Sequence, residues 1–197
     1  MKRTLLQFFC LFPIVFAINA QDGNFHEKLS DAAIELTQIN VIYDPSYVRI
    51  DYPNGDVPAN RGVCTDVVIR AYRKLKIDLQ KEVHVDMKAH FDKYPSRKRW
   101  GLLKTDTNID HRRVPNLQVF FSRHGVEKEV SDKASDYETG DIVTWDLGKN
   151  VPHIGIVVNR KSKDGKRPLI VHNIGRGQVM EDCLFAWKIT GHYRYSK

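Results

Sequence analysis

Residues 140–173 read GDIVTWDLGKNVPHIGIVVNRKSKDGKRPLIVHN, and this stretch decides the fold class. Ile142 to Trp145, His153 to Val158 and Leu169 to Asn173 are β-rich runs separated by turn residues. Asp164-Gly165 between the second and third run predicts a hairpin. His192 to Tyr195 is a further β-rich run.

Upstream the periodicity is helical. Leu29, Ala32, Ala33 and Leu36 form an i, i+3, i+4, i+7 stripe within residues 25–39. A second helix is expected from Cys64 to Leu75, with Val67, Val68, Ala71 and Leu75 inward, and a third from Leu79 to Phe91, ended by Pro95. Val114 to Arg123 suggests another, stopped by Gly125. Tyr47 to Tyr52 alternates as a short strand would, Pro53 to Gly62 reads as a loop, and residues 96–113 as charged and irregular. Helices first and an antiparallel sheet afterwards predict an α+β domain, N-terminal helices packed on a C-terminal sheet.

The N-terminus has a separate logic. Lys2 and Arg3 precede an apolar run from Leu5 to Ile18, and small residues lie between Ala17 and Ala20. That pattern predicts a signal peptide over residues 1–20, and a single exported domain over 21–197, periplasmic or secreted. The run is short for a membrane span, so no stable membrane insertion is expected. Phe9 before Cys10 is too bulky for lipoprotein processing. The chain carries 31 Lys and Arg against 24 Asp and Glu, and without Lys2 and Arg3 the +7 excess becomes +5. In an exported protein this charge suits an anionic wall polymer or lipid headgroups, or simply a solvated surface; nucleic acid is not the expected partner. Beyond Cys10 only Cys64 and Cys183 remain, and export permits a disulfide between them.

Cys64 follows a Gly-containing loop and opens a helix, where the backbone dipole and free N–H groups favour a thiolate and can hold an oxyanion. Of the eight histidines, His153 is the best base, because it opens an apolar strand after a Pro-containing loop. His172 lies in the next strand, and a turn midway between them makes the two near neighbours across the hairpin. One imidazole then orients the other, as the third member of a triad does. Asn173 has suitable chemistry, but strand alternation points it away from His172's face. A histidine in a strand is also commonly a hydrogen-bonded structural residue.

Gly62-Val63-Cys64-Thr65-Asp66, Gly140-Asp141-Ile142-Val143, His153-Ile154-Gly155-Ile156-Val157 and Ile170-Val171-His172 resemble, in that order, NlpC-type cell-wall cysteine peptidases and amidases. The resemblance covers mainly residues 47–75 and 139–175. Tyr43-Asp44-Pro45, Gly62 to Val68 and His111-Arg112-Arg113-Val114-Pro115 more closely resemble a family of exported bacterial proteins related to them. The resemblance implies a papain-like fold, a Cys64/His153/His172 triad, no cofactor, and peptidoglycan stem peptides as substrate. It also implies Tyr52, twelve residues before Cys64, as a donor near the oxyanion, although a tyrosine packed beside the loop fits equally.

The sequence departs from such enzymes around the cysteine. They commonly carry Asp before it and Ser-Gly after it, residues tied to recognition of a substrate amine; here Val63 precedes and Thr65-Asp66 follow. Asp66 is a candidate for the amine, or a first-turn acid satisfying the helix dipole. The connection from Cys64 to His153 is longer than usual, and within it His111, Arg112 and Arg113 form a candidate clamp for a carboxylate or phosphate, or a solvated basic loop.

Two other function classes stay open. One is an inert cell-envelope binding module on the same fold, with Cys64 blocked in a disulfide to Cys183. The other is a metal site on Cys64, His153 and His172, disfavoured because no closely spaced ligand pair occurs.

Overall fold

The computed structural model describes residues 15–197, with side chains from Asn24 onward. The Lys2-Arg3 start and residues 1–14 of the segment expected to act as a signal lie outside the described residues, and residues 15–20 of it belong to the first helix. No helix among the described residues is long and apolar enough to cross a membrane.

Helix α1 (Val15–Leu36) and helix α2 (Cys64–Lys74) lie against each other and against the sheet. The stripe Leu29, Ala32, Ala33, Leu36 is buried, as are Val67, Val68, Ala71 and Tyr72 of α2. Each Leu or Val among these contributes about 1.5–3 kcal/mol on burial. Helix α3 (Leu79–Ala89) starts on Asp78, whose carboxylate accepts from the Gln80 N–H at 3.1 Å. Helix α4 (Ser96–Trp100) and a 3-10 turn at Asp110–Arg112 follow, then α5 (Val114–His124) with Pro115 in its first turn. The segment expected to be irregular therefore carries two short helical pieces.

A six-stranded sheet forms the C-terminal half. Its strands are β3 (Val126–Lys128), β4 (Ile142–Asp146), β5 (Pro152–Lys161), β6 (Pro168–Asn173), β7 (Gln178–Glu181) and β8 (Lys188–Arg194). They are ordered β3-β8-β4-β5-β6-β7, with every neighbouring pair antiparallel. The protein is thus α+β with an antiparallel sheet. Ile142, Ile154, Ile156, Val158 and Val171 face the helices in one core cluster. Val143, Trp145, Val157 and Ile170 face the other way, onto Tyr137, Cys183 and Leu184. Strand alternation sorts the two sets.

Two expectations need correction. Tyr47 to Tyr52 is not a strand: the Ile50 N–H donates to Asn108 Oδ1 at 3.0 Å, and the Tyr47 hydroxyl donates to Asp106 Oδ2 at 3.1 Å. The segment's polar groups are tied to a distant turn instead of a ladder. The strand here is β1 (Ile42–Tyr43), parallel to β2 (Arg61–Gly62). The register of the β5–β6 hairpin also differs from the simple midpoint: the turn lies past it, with Lys161 paired to Pro168, and a bulge between Val157 and Lys161 takes back only part of the offset. Ile156 pairs with Val171, so Gly155 rather than His153 stands beside His172.

Candidate active site

Cys64 is the first residue of α2, directly after the N-cap Val63. The Asp66 carboxylate accepts from the Val63 N–H at 2.7 Å, closing the turn that presents the sulfur. Gly62 leaves room for this approach, since a Cβ there would meet Asp66 Cβ and Oδ2 at 3.1 Å, tight enough to make the aspartate shift. At the other side of the loop Asn173 Nδ2 donates to the Gly62 carbonyl at 3.2 Å, tying the end of β6 to the cysteine's entry. The Cys64 sulfur rests beside the Ile154 backbone N–H, which acts on it as a donor. Cys64 is therefore next to the β5 backbone one residue from His153.

His153 and His172 meet across the β5–β6 hairpin, beside Trp145 and Trp187. His153 Nε2 lies 2.8 Å from His172 Nδ1, and His172 Nε2 lies 3.1 Å from Glu181 Oε2 on β7. The two rings stand edge to face with centroids 5.0 Å apart. Trp145 and Trp187 pack on His153 at 5.8 and 5.9 Å. Gly155 makes the meeting possible, because a Cβ there would stand 2.7 Å from Ile170 Cγ2 and 3.2 Å from His172 Cβ.

The direction of the hydrogen bonds follows from the carboxylate. An ionised Glu181 only accepts, so His172 carries its proton on Nε2 and its Nδ1 accepts. His153 then donates through Nε2, and its Nδ1 keeps a lone pair. This tautomer assignment is inferred from the network. Burial, then the His172 charge, holds His153 down at about 3, so the imidazole is neutral at neutral pH. Burial likewise lowers His172, opposed by the Glu181 bond. Burial pushes the Cys64 thiol up to about 12 against the helix-start N–H groups of Cys64 and Thr65. The expectation of a thiolate from the helix start alone is overridden, and the resting pair is thiol and neutral imidazole. No Cys64–His153 hydrogen bond is formed among the described residues; such contacts commonly tighten only when substrate arrives.

Cys64 and Cys183 are both free. Cys183 sits on the far side of the histidines, its sulfur 3.6 Å from His172 Nε2. The two sulfurs belong to different core clusters on opposite faces of the sheet. Among the described residues, no group of three or more His, Cys, Asp or Glu side chains is placed to hold a metal ion.

The remaining candidates scatter. Tyr52 packs edge-on against His84 at 5.0 Å and is 42% exposed, away from the cysteine. Tyr43 takes the place beside Cys64. Its phenol is raised by burial first and then by the nearness of Cys64 and Asp66. Asp66 is buried and holds Arg112 in a bidentate pair at 2.9 and 3.0 Å, which leaves it no room for a substrate amine. His111 is buried with Nδ1 unpartnered, and is held down at about 3 chiefly by burial and then by the Arg112 charge. Of the proposed clamp, Arg112 and Arg113 line a cavity of about 330 Å³ that also contains Cys64, Tyr43, Arg99 and Trp100. His111 does not.

Tyr43, Glu181, Arg99 and Trp100 were not singled out from the sequence. Glu181 carried no signal of its own: it ends the four-residue strand Gln178-Val179-Met180-Glu181, whose residues do not alternate.

Comparisons with known proteins agree with this architecture. Two structures of an N-acetylmuramoyl-L-alanine amidase from Bacteroides uniformis ATCC 8492 are similar in fold, each with a TM-score of 0.50, at 13% and 12% identity. Each match covers 88% of this chain and 100% of the other. Uncharacterized protein YijF from Escherichia coli (strain K12) is 50% identical over 183 residues, 93% of this chain and 86% of that protein. Residues 30–195 match the family described as "Domain of unknown function (DUF1287)", and the chain belongs to that family.

Proposed function

We propose that this protein is an exported thiol hydrolase on a papain-like fold of the NlpC type. It cleaves an amide bond in peptidoglycan stem peptides. The observation that carries the reading is the placement of Cys64 at the start of α2, against the β5 backbone next to His153. His153 in turn stands at the head of the His153–His172–Glu181 chain. The similarity in fold to amidase structures supports the reaction class, and the basic N-terminal start before an apolar run supports export.

The chemistry follows from the proton positions. His153 Nδ1 accepts the Cys64 proton as sulfur attacks the carbonyl, and the S–C bond forms. The imidazolium is stabilised through His172 by Glu181. N–H groups at the α2 start receive the oxyanion, and the Tyr43 hydroxyl, on the same cavity, assists. His153 returns the proton to the leaving amine as the C–N bond breaks. Water, deprotonated by the same nitrogen, then opens the thioester, releasing a carboxylic acid and the thiol.

The test is incubation of defined muropeptides with wild type, Cys64→Ala and His153→Ala, with products read by mass spectrometry. Stem-peptide cleavage by wild type alone, with both variants folded by circular dichroism, is the expected result. Unchanged muropeptides across several wall chemotypes would overturn the substrate.

A further inference from the structure

The cavity at Cys64 has a wall that the reaction itself does not use. It is built by the long connection between cysteine and histidine, and it is cationic. Arg99, Arg112 and Arg113 line it, and no Asp or Glu does. Arg112 is neutralised by Asp66 behind it. Arg113 reaches Asp110 Oδ1 at 3.2 Å through one nitrogen and lays its guanidinium over Trp100, 4.3 Å from the ring centroid. Arg99 stands 5.8 Å from the same ring and donates to the Asn150 carbonyl at 3.4 Å; it has no carboxylate partner among the described residues.

This wall is held rigidly. Ser96 at the start of α4 and Asn116 on α5 are both fully buried, and Ser96 Oγ donates to Asn116 Oδ1 at 3.2 Å. Asn116 Nδ2 donates to the Asp110 carbonyl at 3.0 Å, pinning the turn that carries Arg112 and Arg113. An aromatic plate that orients a guanidinium, with a second guanidinium beside it, presents a planar array of donors matched to a carboxylate.

Taking the hydrolase reading above as its basis, we propose that Arg99 and Arg113, set on Trp100, form a subsite for a free carboxylate of the substrate peptide next to the scissile amide. The substrate is then an acidic peptide recognised by its negative charge. The position from which an amine would be bound is closed, because Asp66 is already spent on Arg112 and the α2 cap.

Two measurements separate this subsite from the reaction. Synthetic stem peptides are prepared in pairs that differ only by a carboxylate or a primary carboxamide beside the scissile bond. Binding of each pair to the folded Cys64→Ala protein is followed by calorimetry, and hydrolysis by wild type, Arg99→Gln and Arg113→Gln by kcat/KM. The carboxylate form is expected to bind and react about 10- to 100-fold better, as for a charge-assisted bidentate contact. Either substitution is expected to bring that ratio toward one. Equal binding of both forms to Cys64→Ala, or a ratio unaffected by both substitutions, overturns the subsite. Carboxylate-dependent binding without hydrolysis by wild type would keep the subsite and overturn the hydrolase reading.

Discussion

His153 Nε2 and His172 Nδ1 lie 2.8 Å apart although the two residues are not register partners in the β5–β6 hairpin. They meet diagonally across Gly155, the residue that stands beside His172. A glycine at that point is what lets one imidazole lie against the other, and Glu181 then fixes which nitrogen of each carries the proton.

Glu181→Gln tests the proton order. A glutamine can present its amide N–H to His172 Nε2, which reverses the chain and puts a proton on His153 Nδ1. The account predicts a fall in kcat of about 100-fold, the scale of a lost general base, with little change in melting temperature. Full activity in this variant would mean that the chain does not set the tautomer.

Gly155→Ala tests the meeting point. Its Cβ would stand 2.7 Å from Ile170 Cγ2 and 3.2 Å from His172 Cβ, so strand or ring must shift. A destabilisation of about 1–3 kcal/mol is expected from overpacking, with a larger proportional loss of activity. Denaturant melts beside initial rates read both. An active variant of unchanged stability would contradict the packing described.

Asp66 and Arg112 form a pair whose side chains are 3% and 2% exposed. Removing one partner leaves the other buried and unpaired. Asp66→Ala should cost about 3–5 kcal/mol, whereas Asp66→Ala with Arg112→Met should recover much of that. If Asp66→Ala instead raised KM with stability unchanged, the aspartate would be a substrate ligand after all.

Buried histidines make stability depend on pH. His111 is held down at about 3 in the fold, so between about pH 3 and its ordinary 6.5 the unfolded chain binds the extra proton. Stability then rises with pH through that window, by about 1.4 kcal/mol per unit for one such group at full slope, and is complete above it. His111→Met removes this share, so its urea midpoint should change less between pH 4 and 6.5 than that of wild type. Parallel curves for the two proteins would rule the cause out.

Much of this was legible in the sequence. The β-runs after Gly140, the helix at Cys64 and the pairing of His153 with His172 follow from alternation, a helix start and one turn. The register was not, because the place of the turn and the bulge after Val157 are properties of the folded hairpin and leave no pattern in the chain. The resemblance implied Tyr52 near the oxyanion, yet a short parallel pairing with Arg61–Gly62 carries Tyr43 to the cysteine. Asp66 looked available because its ion-pair partner, Arg112, is distant in sequence. The protonation of Cys64 also could not be read from its helix position, since burial is decided by the whole wall folded over it.

The thiol state is checked by intact mass under native conditions. Two free thiols are expected, with Cys64 alkylated before Cys183 because it lines the cavity while Cys183 lies behind His172. A crosslinked pair in active protein would contradict the account.

The central claim is that Cys64 carries the acyl group. Acid-quenched mixtures of protein and stem-peptide substrate, digested and analysed by mass spectrometry, test it most directly. The account predicts that the peptide containing Cys64 gains the mass of the acyl fragment in wild type and shows no adduct in His153→Ala. Product formation by Cys64→Ala at the wild-type rate, with no adduct on any peptide, would contradict it.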